Sequence, residues 1–186
     1  MECLGRTLHL VDIENLLNQP PKLVTGDQAA RVFWQYLKTA GWQSGDSVVI
    51  ASNPKLMRRM MFQLPDIPCR MLCAWGESGA DRLLLGAVPN HVETRYARVA
   101  VGSGDHIFGD LIDQLRGTTI RTLVVAGAGS TSWQLYAGAD EVHRLGSPQV
   151  VAPHRLQVDC GKRPVLVTDR TGEGEENRYA GAGTII

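Results

Sequence analysis

Short apolar runs alternate with helical patterns from Thr7 to Leu145, and this alternation limits the possible folds more than any other feature of the sequence. The runs Val48-Val49-Ile50 and Leu123-Val124-Val125 are rich in β-branched residues, which is typical of strands covered on both faces. Strands of this kind separated by helices form a parallel sheet wrapped by helices. The sequence therefore predicts an α/β fold with buried central strands.

Six strands and five helices are predicted from the periodicity and from turn residues. The strands are expected at residues 7–11, 47–51, 69–73, 97–101, 121–126 and 141–145, and the helices at 27–40, 54–63, 81–91, 108–115 and 132–139. Proline in a first turn and glycine after a last turn set several of these bounds. Pro89 is expected to interrupt or end the third helix.

The alternation is lost beyond Gly146. A chain of 186 residues is long enough for one domain with a tail. Residues 1–146 are therefore interpreted as the domain and residues 147–186 as a C-terminal extension. Within the extension, 149–158 and 164–168 are interpreted as a hairpin, and the glycine-rich segment 171–183 as a flexible tail.

Composition excludes several classes of protein without selecting a function. The chain is 44% hydrophobic and 20% charged, which is typical of a globular protein and not of a disordered one. It has 19 basic and 19 acidic residues, so bulk charge favours neither a nucleic acid nor a membrane as partner. The N-terminus lacks a secretory pattern and no apolar run is long enough to span a membrane. We therefore expect a cytoplasmic protein without a membrane partner, and the sequence leaves a homo-oligomer open.

Three aspartates are placed where connections between strands and helices begin. Asp12 follows the first strand, Asp105 follows the fourth, and Asp81 begins the third helix. Ligand sites of open α/β sheets lie beyond the carboxyl ends of the strands. If the first and fourth strands are neighbours, the three carboxylates meet, and a divalent cation would compensate their repulsion. The set predicts a Mg²⁺ or Mn²⁺ site. Taken singly, Asp105 is better explained as a cap of the fourth helix and Asp81 as a first-turn residue of the third, whereas Asp12, at the end of an apolar strand, is harder to explain by folding alone.

Two neighbours of Asp12 have alternative interpretations. Asn15 either fixes the geometry of the Asp12 side chain or nearby backbone, or only forms an Asx turn. Glu14 either supplies a fourth carboxylate or points to solvent.

The segment Leu10-Val11-Asp12-Ile13-Glu14-Asn15-Leu16 resembles the opening motif of the NYN domains, a branch of the PIN-like metal-dependent ribonucleases. Gly79-Ala80-Asp81 is similar to the second acidic motif of that family, and the segment 101–108 to its Ser-Gly-Asp-x-Asp-Phe motif. The segment 132–141 resembles its last helix and strand. These motifs occur in the order of the family across residues 7–145.

The resemblance implies a three-layer α/β/α, PIN-like (Rossmann-like) domain with strand order 3-2-1-4-5. It further implies hydrolysis of RNA phosphodiester bonds, with Asp12, Asn15, Asp81 and Asp105 catalytic and with the three aspartates binding Mg²⁺ or Mn²⁺. RNA, single-stranded or structured, is the partner that it implies.

One position departs from the family pattern. Ile107 stands where the family usually carries a second aspartate, and Asp110 lies five residues past Asp105, so it points in another direction on a helix. The alternative function is therefore a catalytically weakened RNA-binding or adaptor module. A phosphatase or nucleotide-binding Rossmann protein is a third interpretation, which the missing glycine fingerprint disfavours.

Substrate contacts are expected from polar and basic residues near the same edge. They are Ser52, Asn53, Lys55, Arg58, Arg59, His106 and Ser130. The three basic residues at i, i+3 and i+4 suit a phosphate backbone, or form an ordinary solvated helix face. His106 would contact a phosphate or carry a proton, or have the structural role that is more common for a lone histidine. Ser130, in a glycine-rich turn, would help bind an anion or simply cap the next helix.

The four tryptophans are scattered along the sequence, at positions 34, 42, 75 and 133. Tryptophan carries a large apolar surface, so core contacts are the expected role rather than base stacking.

Overall fold

Six parallel strands and one short antiparallel strand form a single sheet in the computed structural model, which describes residues 5–17, 19–129, 131–146 and 150–151. The strands are β1 (Thr7–Asp12), β2 (Ser47–Ser52), β3 (Cys69–Cys73), β4 (Arg98–Gly102), β5 (Arg121–Ala126), β6 (Glu141–Arg144) and β7 (Val150–Val151). Their order is β3-β2-β1-β4-β5-β6-β7, with only the β6 and β7 pair antiparallel. The predicted α/β class and the order 3-2-1-4-5 are confirmed, and β6 extends the parallel sheet beyond β5.

The five predicted helices are present, and a further short one follows β1. The helices are α1 (Ile13–Leu16), α2 (Gly26–Thr39), α3 (Pro54–Met60), α4 (Gly79–Gly86), α5 (Gly109–Arg116) and α6 (Trp133–Gly138). Short 3-10 turns cover Pro21–Leu23, Val92–Thr94 and His106–Phe108. The prediction that the third helix reaches residue 91 is wrong, because α4 ends at Gly86. Pro89 disfavours helical backbone in the residue before it, so the helix ends earlier.

Two apolar clusters cover the two faces of the sheet, because side chains alternate along each strand. Leu8 and Leu10 of β1 belong to the cluster that contains residues of α4, α5 and α6. Val11 of β1 belongs to the cluster that contains residues of α1, α2 and α3. Each cluster includes a fully buried phenylalanine, and burying such a side chain contributes about 1.5–3 kcal/mol. The sheet is therefore flanked by helices on both faces, which is consistent with a Rossmann-like fold.

The described residues all belong to one compact unit of the chain, which spans Met1–Arg155. The segment 171–183 interpreted as a tail, and nearly all of the hairpin predicted over 149–158 and 164–168, lie outside the described residues. The described part of that hairpin is Val150–Val151, which pairs with β6. No helix in the described ranges is long and apolar enough to cross a membrane.

Candidate active site

The carboxyl ends of β1 and β4 lie side by side at one edge of the sheet. Val11 is paired with Gly102 in the parallel register of the two strands, so Asp12 and the loop after β4 leave the sheet together. Gly102 admits no side chain, because a Cβ at that position would approach Cε2 of Tyr36 to 2.7 Å. The first and fourth strands are therefore neighbours, as the predicted site of Asp12, Asp81 and Asp105, called the acidic pocket below, requires.

Asp12 is buried at the end of β1 and caps α1. Its side chain is 5% exposed, and its Oδ1 accepts hydrogen bonds from the backbone N–H groups of Glu14 (3.1 Å) and Asn15 (3.4 Å). Burial raises the pKa of Asp12 to about 8, with further contributions from the charge of Asp81 and a hydrogen bond with it. Asp12 is thus both a helix cap and a member of a pair of carboxyl groups.

Asp81 is the second member of this pair. It is 6% exposed in the first turn of α4, and its Oδ1 is a buried oxygen without a hydrogen-bond partner in the described part of the chain. Burial raises the pKa of Asp81, and the charges of Asp105 and Glu14 raise it further. Since two buried carboxylates repel each other, the pair retains a proton unless a cation replaces it.

Asp105 is more accessible than the other two aspartates. Its side chain is 32% exposed, and its Oδ1 accepts a hydrogen bond from the backbone N–H of Ile107 (3.1 Å). The same oxygen lies 2.8 Å from Nδ1 of His106, whose ring is exposed. Asp105 caps the 3-10 turn His106–Phe108, which contacts α4, and its charge contributes to the raised pKa of Asp81. The structure therefore brings Asp12, Asp81 and Asp105 to the same edge.

Asn15 connects the β1 end of the pocket to the β4 loop. Its backbone N–H binds Asp12, and its side-chain Oδ1 accepts a 2.7 Å hydrogen bond from the backbone N–H of Gly104. The buried Ser103 hydroxyl accepts a hydrogen bond from the N–H of Asp105 at 3.2 Å. Ser103 and Gly104 thus position the loop, although neither was predicted as a site residue.

Glu14 faces the pocket, so the interpretation as a fourth carboxylate fits the structure better than a solvated one. Its Oε1 accepts hydrogen bonds from the Ser52 hydroxyl (3.1 Å) and from the backbone N–H of Asn53. The charge of Glu14 contributes to the raised pKa values of Asp12 and Asp81.

Ser52 and Asn53, predicted to contact substrate, make hydrogen bonds within the protein. Ser52 is fully buried against Glu14, and the side chain of Asn53 caps α3 by accepting the N–H of Leu56 at 2.9 Å. Both residues therefore position Glu14 and the start of α3.

The predicted basic track on α3 is only partly directed at the pocket edge. Lys55 Nζ lies 5.9 Å from the ring centroid of Trp75, in the loop after β3. Arg59 donates to the backbone oxygens of Pro21 (2.6 Å) and Lys22 (3.4 Å), which ties it to the turn before α2. Arg58 is exposed. Ser130 lies outside the described residues.

The expectation that the tryptophans serve core contacts is wrong for at least two of them. Trp75 is 67% exposed and Trp133 is 73% exposed, while Trp34 is 41% exposed. Trp75 lies in the loop after β3 and Trp133 is the first residue of α6, so neither position belongs to the apolar period of a strand or helix.

The carboxylates suit a hard divalent cation, although they do not form a complete cage. Over the residues described, no three His, Cys, Asp or Glu side chains converge as a ready set of metal ligands. The Asp12 and Asp81 pair nevertheless offers oxygen ligands, a raised pKa that a cation would lower, and the unpartnered Oδ1 of Asp81. Mg²⁺ takes only one or two direct carboxylates, so the pair fits its requirements.

Fold and site together define an α/β protein of Rossmann-like architecture with an acidic pocket at the carboxyl edge of its sheet. No protein-family model matches the chain, and no curated protein matches it.

Proposed function

We propose that this chain is a metal-dependent ribonuclease of the PIN-like type, in its NYN branch, that hydrolyses RNA phosphodiester bonds. The observation that carries the proposal is the buried Asp12 and Asp81 pair, one oxygen of which lacks a partner in the described structure, next to Asp105. Such an arrangement is costly for folding alone and is compensated by Mg²⁺ or Mn²⁺.

Asp12 and Asp81 would hold the ion, with Asp105 at the accessible side of the pocket. A bound ion would lower the pKa of the water that it binds and would neutralise charge on the phosphate oxygens. Asn15 keeps the β4 loop, and with it Asp105, next to the end of β1. His106 contacts Asp105 through Nδ1, which leaves Nε2 to carry a proton for the departing oxygen.

The proposal is tested by incubating labelled single-stranded and structured RNA with the protein and Mn²⁺. Asp12→Asn and Asp105→Asn should each reduce the cleavage rate by more than about 100-fold, because loss of an outer-sphere partner alone costs about 10–100-fold. Asp110→Asn is the matched control, since Asp110 is an exposed aspartate on α5. Cleavage that persists in both site variants would rule out this site. Turnover of mononucleotides instead of RNA would favour a phosphatase.

A second candidate is a catalytically weakened RNA-binding or adaptor module. The observation in its favour is Ile107, whose partly buried side chain packs against the apolar cluster that includes α5 residues. The pocket therefore has no carboxylate where the resembling family has its second aspartate. This candidate predicts RNA binding without turnover in the same assay.

A further inference from the structure

We propose that Trp75 and Trp133 are stacking platforms for unpaired bases on opposite sides of the acidic pocket, so that a single strand of RNA lies across the carboxyl edge of the sheet. This inference rests on the proposed function for the identity of the polymer. It adds the residues that would distinguish single strands from duplexes.

Exposure of the two indoles is the first observation. Trp75 and Trp133 are 67% and 73% exposed, whereas an indole ordinarily contributes a large buried apolar area. Neither residue belongs to the apolar clusters on the faces of the sheet. Core contacts therefore do not account for their presence.

Trp75 lies on the β3 side of the pocket. The residue before it, Ala74, donates its backbone N–H to the carbonyl oxygen of Ser52 at the end of β2 (3.2 Å). The loop then enters α4, which carries Asp81 in its first turn. Lys55 lies over the indole, so a cation that attracts phosphate is adjacent to a surface on which a base can stack.

Trp133 lies on the β5 side of the pocket. The residue before it, Ser132, donates its backbone N–H to the carbonyl oxygen of Gly104 (2.9 Å), next to Asp105. Trp133 is the first residue of α6. The exposed His106 follows Asp105 in the loop that contains Gly104. An aromatic surface and a proton carrier are therefore anchored to the same loop.

The strand order sets the span between the two platforms. β3 and β5 are separated by four strand spacings, and at about 4.8 Å per spacing this is about 19 Å. At about 3.4 Å per stacked nucleotide, the span corresponds to roughly five or six nucleotides. Asp12 and Asp105 follow β1 and β4, which lie between β3 and β5, so the scissile phosphate would lie between the two stacked bases. Paired bases are stacked within a duplex and cannot use these surfaces.

The test measures binding without catalysis. Anisotropy of a labelled single-stranded oligoribonucleotide longer than six nucleotides is followed in EDTA for the wild type, Trp75→Ala and Trp133→Ala. Each substitution should weaken binding by about 5- to 150-fold, equivalent to about 1–3 kcal/mol. Trp75→Phe and Trp133→Phe should recover most of the affinity, since phenylalanine retains a stacking surface.

Trp34→Ala is the matched control. Trp34 is also partly exposed and also has a lysine over its ring, with Lys38 Nζ 5.8 Å from the centroid, but it lies on α2 in a separate hollow of about 480 Å³. The Trp34→Ala variant should bind RNA with the affinity of the wild type. Binding to a duplex of the same sequence should be unaffected by Trp75→Ala and Trp133→Ala.

Equal affinity of the Trp75, Trp133 and Trp34 variants would overturn the inference, as would failure of the wild type to bind any RNA. Tryptophan-dependent binding without cleavage would leave the platforms in place and reject the ribonuclease. Cleavage that requires Asp12, with normal binding by the tryptophan variants, would support the ribonuclease and reject the stacking platforms.

Discussion

Asn15 Oδ1 accepts a 2.7 Å hydrogen bond from the backbone N–H of Gly104, which joins the first turn after β1 to the loop after β4. The two residues are 89 positions apart in the sequence. Since Asp12 and Asp105 lie on the two segments joined in this way, one side chain helps to set their separation.

Asn15→Ala should lower the free energy of unfolding by about 1–3 kcal/mol, because it leaves the buried N–H of Gly104 without a partner. Urea unfolding measures this loss. Asn90→Ala is the control, since Asn90 is exposed. If Asn15 acts only as part of a local turn, the two variants should be equally stable.

Divalent cations should stabilise the folded protein through the acidic pocket. Saturating Mn²⁺ at about 100 times its Kd would add about 2.7 kcal/mol. The thermal midpoint of the wild type should therefore rise with Mn²⁺, while Asp12→Asn and Asp81→Asn should show little rise. Asp110→Asn should respond like the wild type. An equal rise in all four proteins would place the ion elsewhere.

Ile107→Asp tests whether the missing second aspartate weakens catalysis. The new carboxylate should increase RNA cleavage, although it removes apolar contacts that Ile107 makes with the adjacent cluster. Ile107→Asn is the matched control, because it makes the same loss of apolar surface without adding charge. Higher cleavage by Ile107→Asp than by Ile107→Asn supports an attenuated nuclease. Equal, low cleavage together with strong RNA binding supports the adaptor.

The sheet could be predicted from sequence because its strands are covered on both faces. Val48, Val49 and Ile50 are buried although their side chains alternate between the two apolar clusters, so the whole run had to be apolar. The short helix α1 was not predicted, because four residues carry no helical period and the helix depends on capping by Asp12. The start of α4 at Gly79 was also not predicted. The residue before it, Ser78, has left-handed backbone (φ 55°), and the periodicity of the sequence does not reveal such a conformation.

The candidate site was only partly predictable for a similar reason. The positions of Asp12 and Asp105 follow from where strands end, which apolar runs make visible. The roles of Ser52 and Asn53 depend on the position of Glu14, a residue 38 positions before Ser52. Exposure of Trp75 depends on the path of the loop after β3, and exposure of Trp133 depends on where α6 begins. Contacts of this kind arise from tertiary structure, so residue type alone did not predict them.

Two buried groups give the stability of the metal-free protein opposite dependences on pH. Asp12, with its pKa raised to about 8, keeps a proton in the folded state that the unfolded chain loses above pH about 4. Its contribution to stability therefore falls as pH rises from about 4 to about 8. His9, with its pKa lowered to about 4 mainly by burial, stays neutral while the unfolded imidazole binds a proton below pH 6.5. The contribution of His9 to stability is therefore lost as pH falls from 6.5 to about 4.

Above pH 6.5 the Asp12 effect acts without opposition from His9, so this range isolates the acidic pocket. Urea unfolding in EDTA should show the free energy of unfolding falling from pH about 6.5 to about 8, by at most about 1.4 kcal/mol per pH unit for one proton. Asp12→Asn should flatten the fall, and Asp110→Asn should retain it. Mn²⁺ should also flatten it, because the ion replaces the proton held by the pair. Parallel curves for the wild type and Asp12→Asn would show that Asp12 is already ionised in the folded protein, and the case for a compensating cation would then lose its main support.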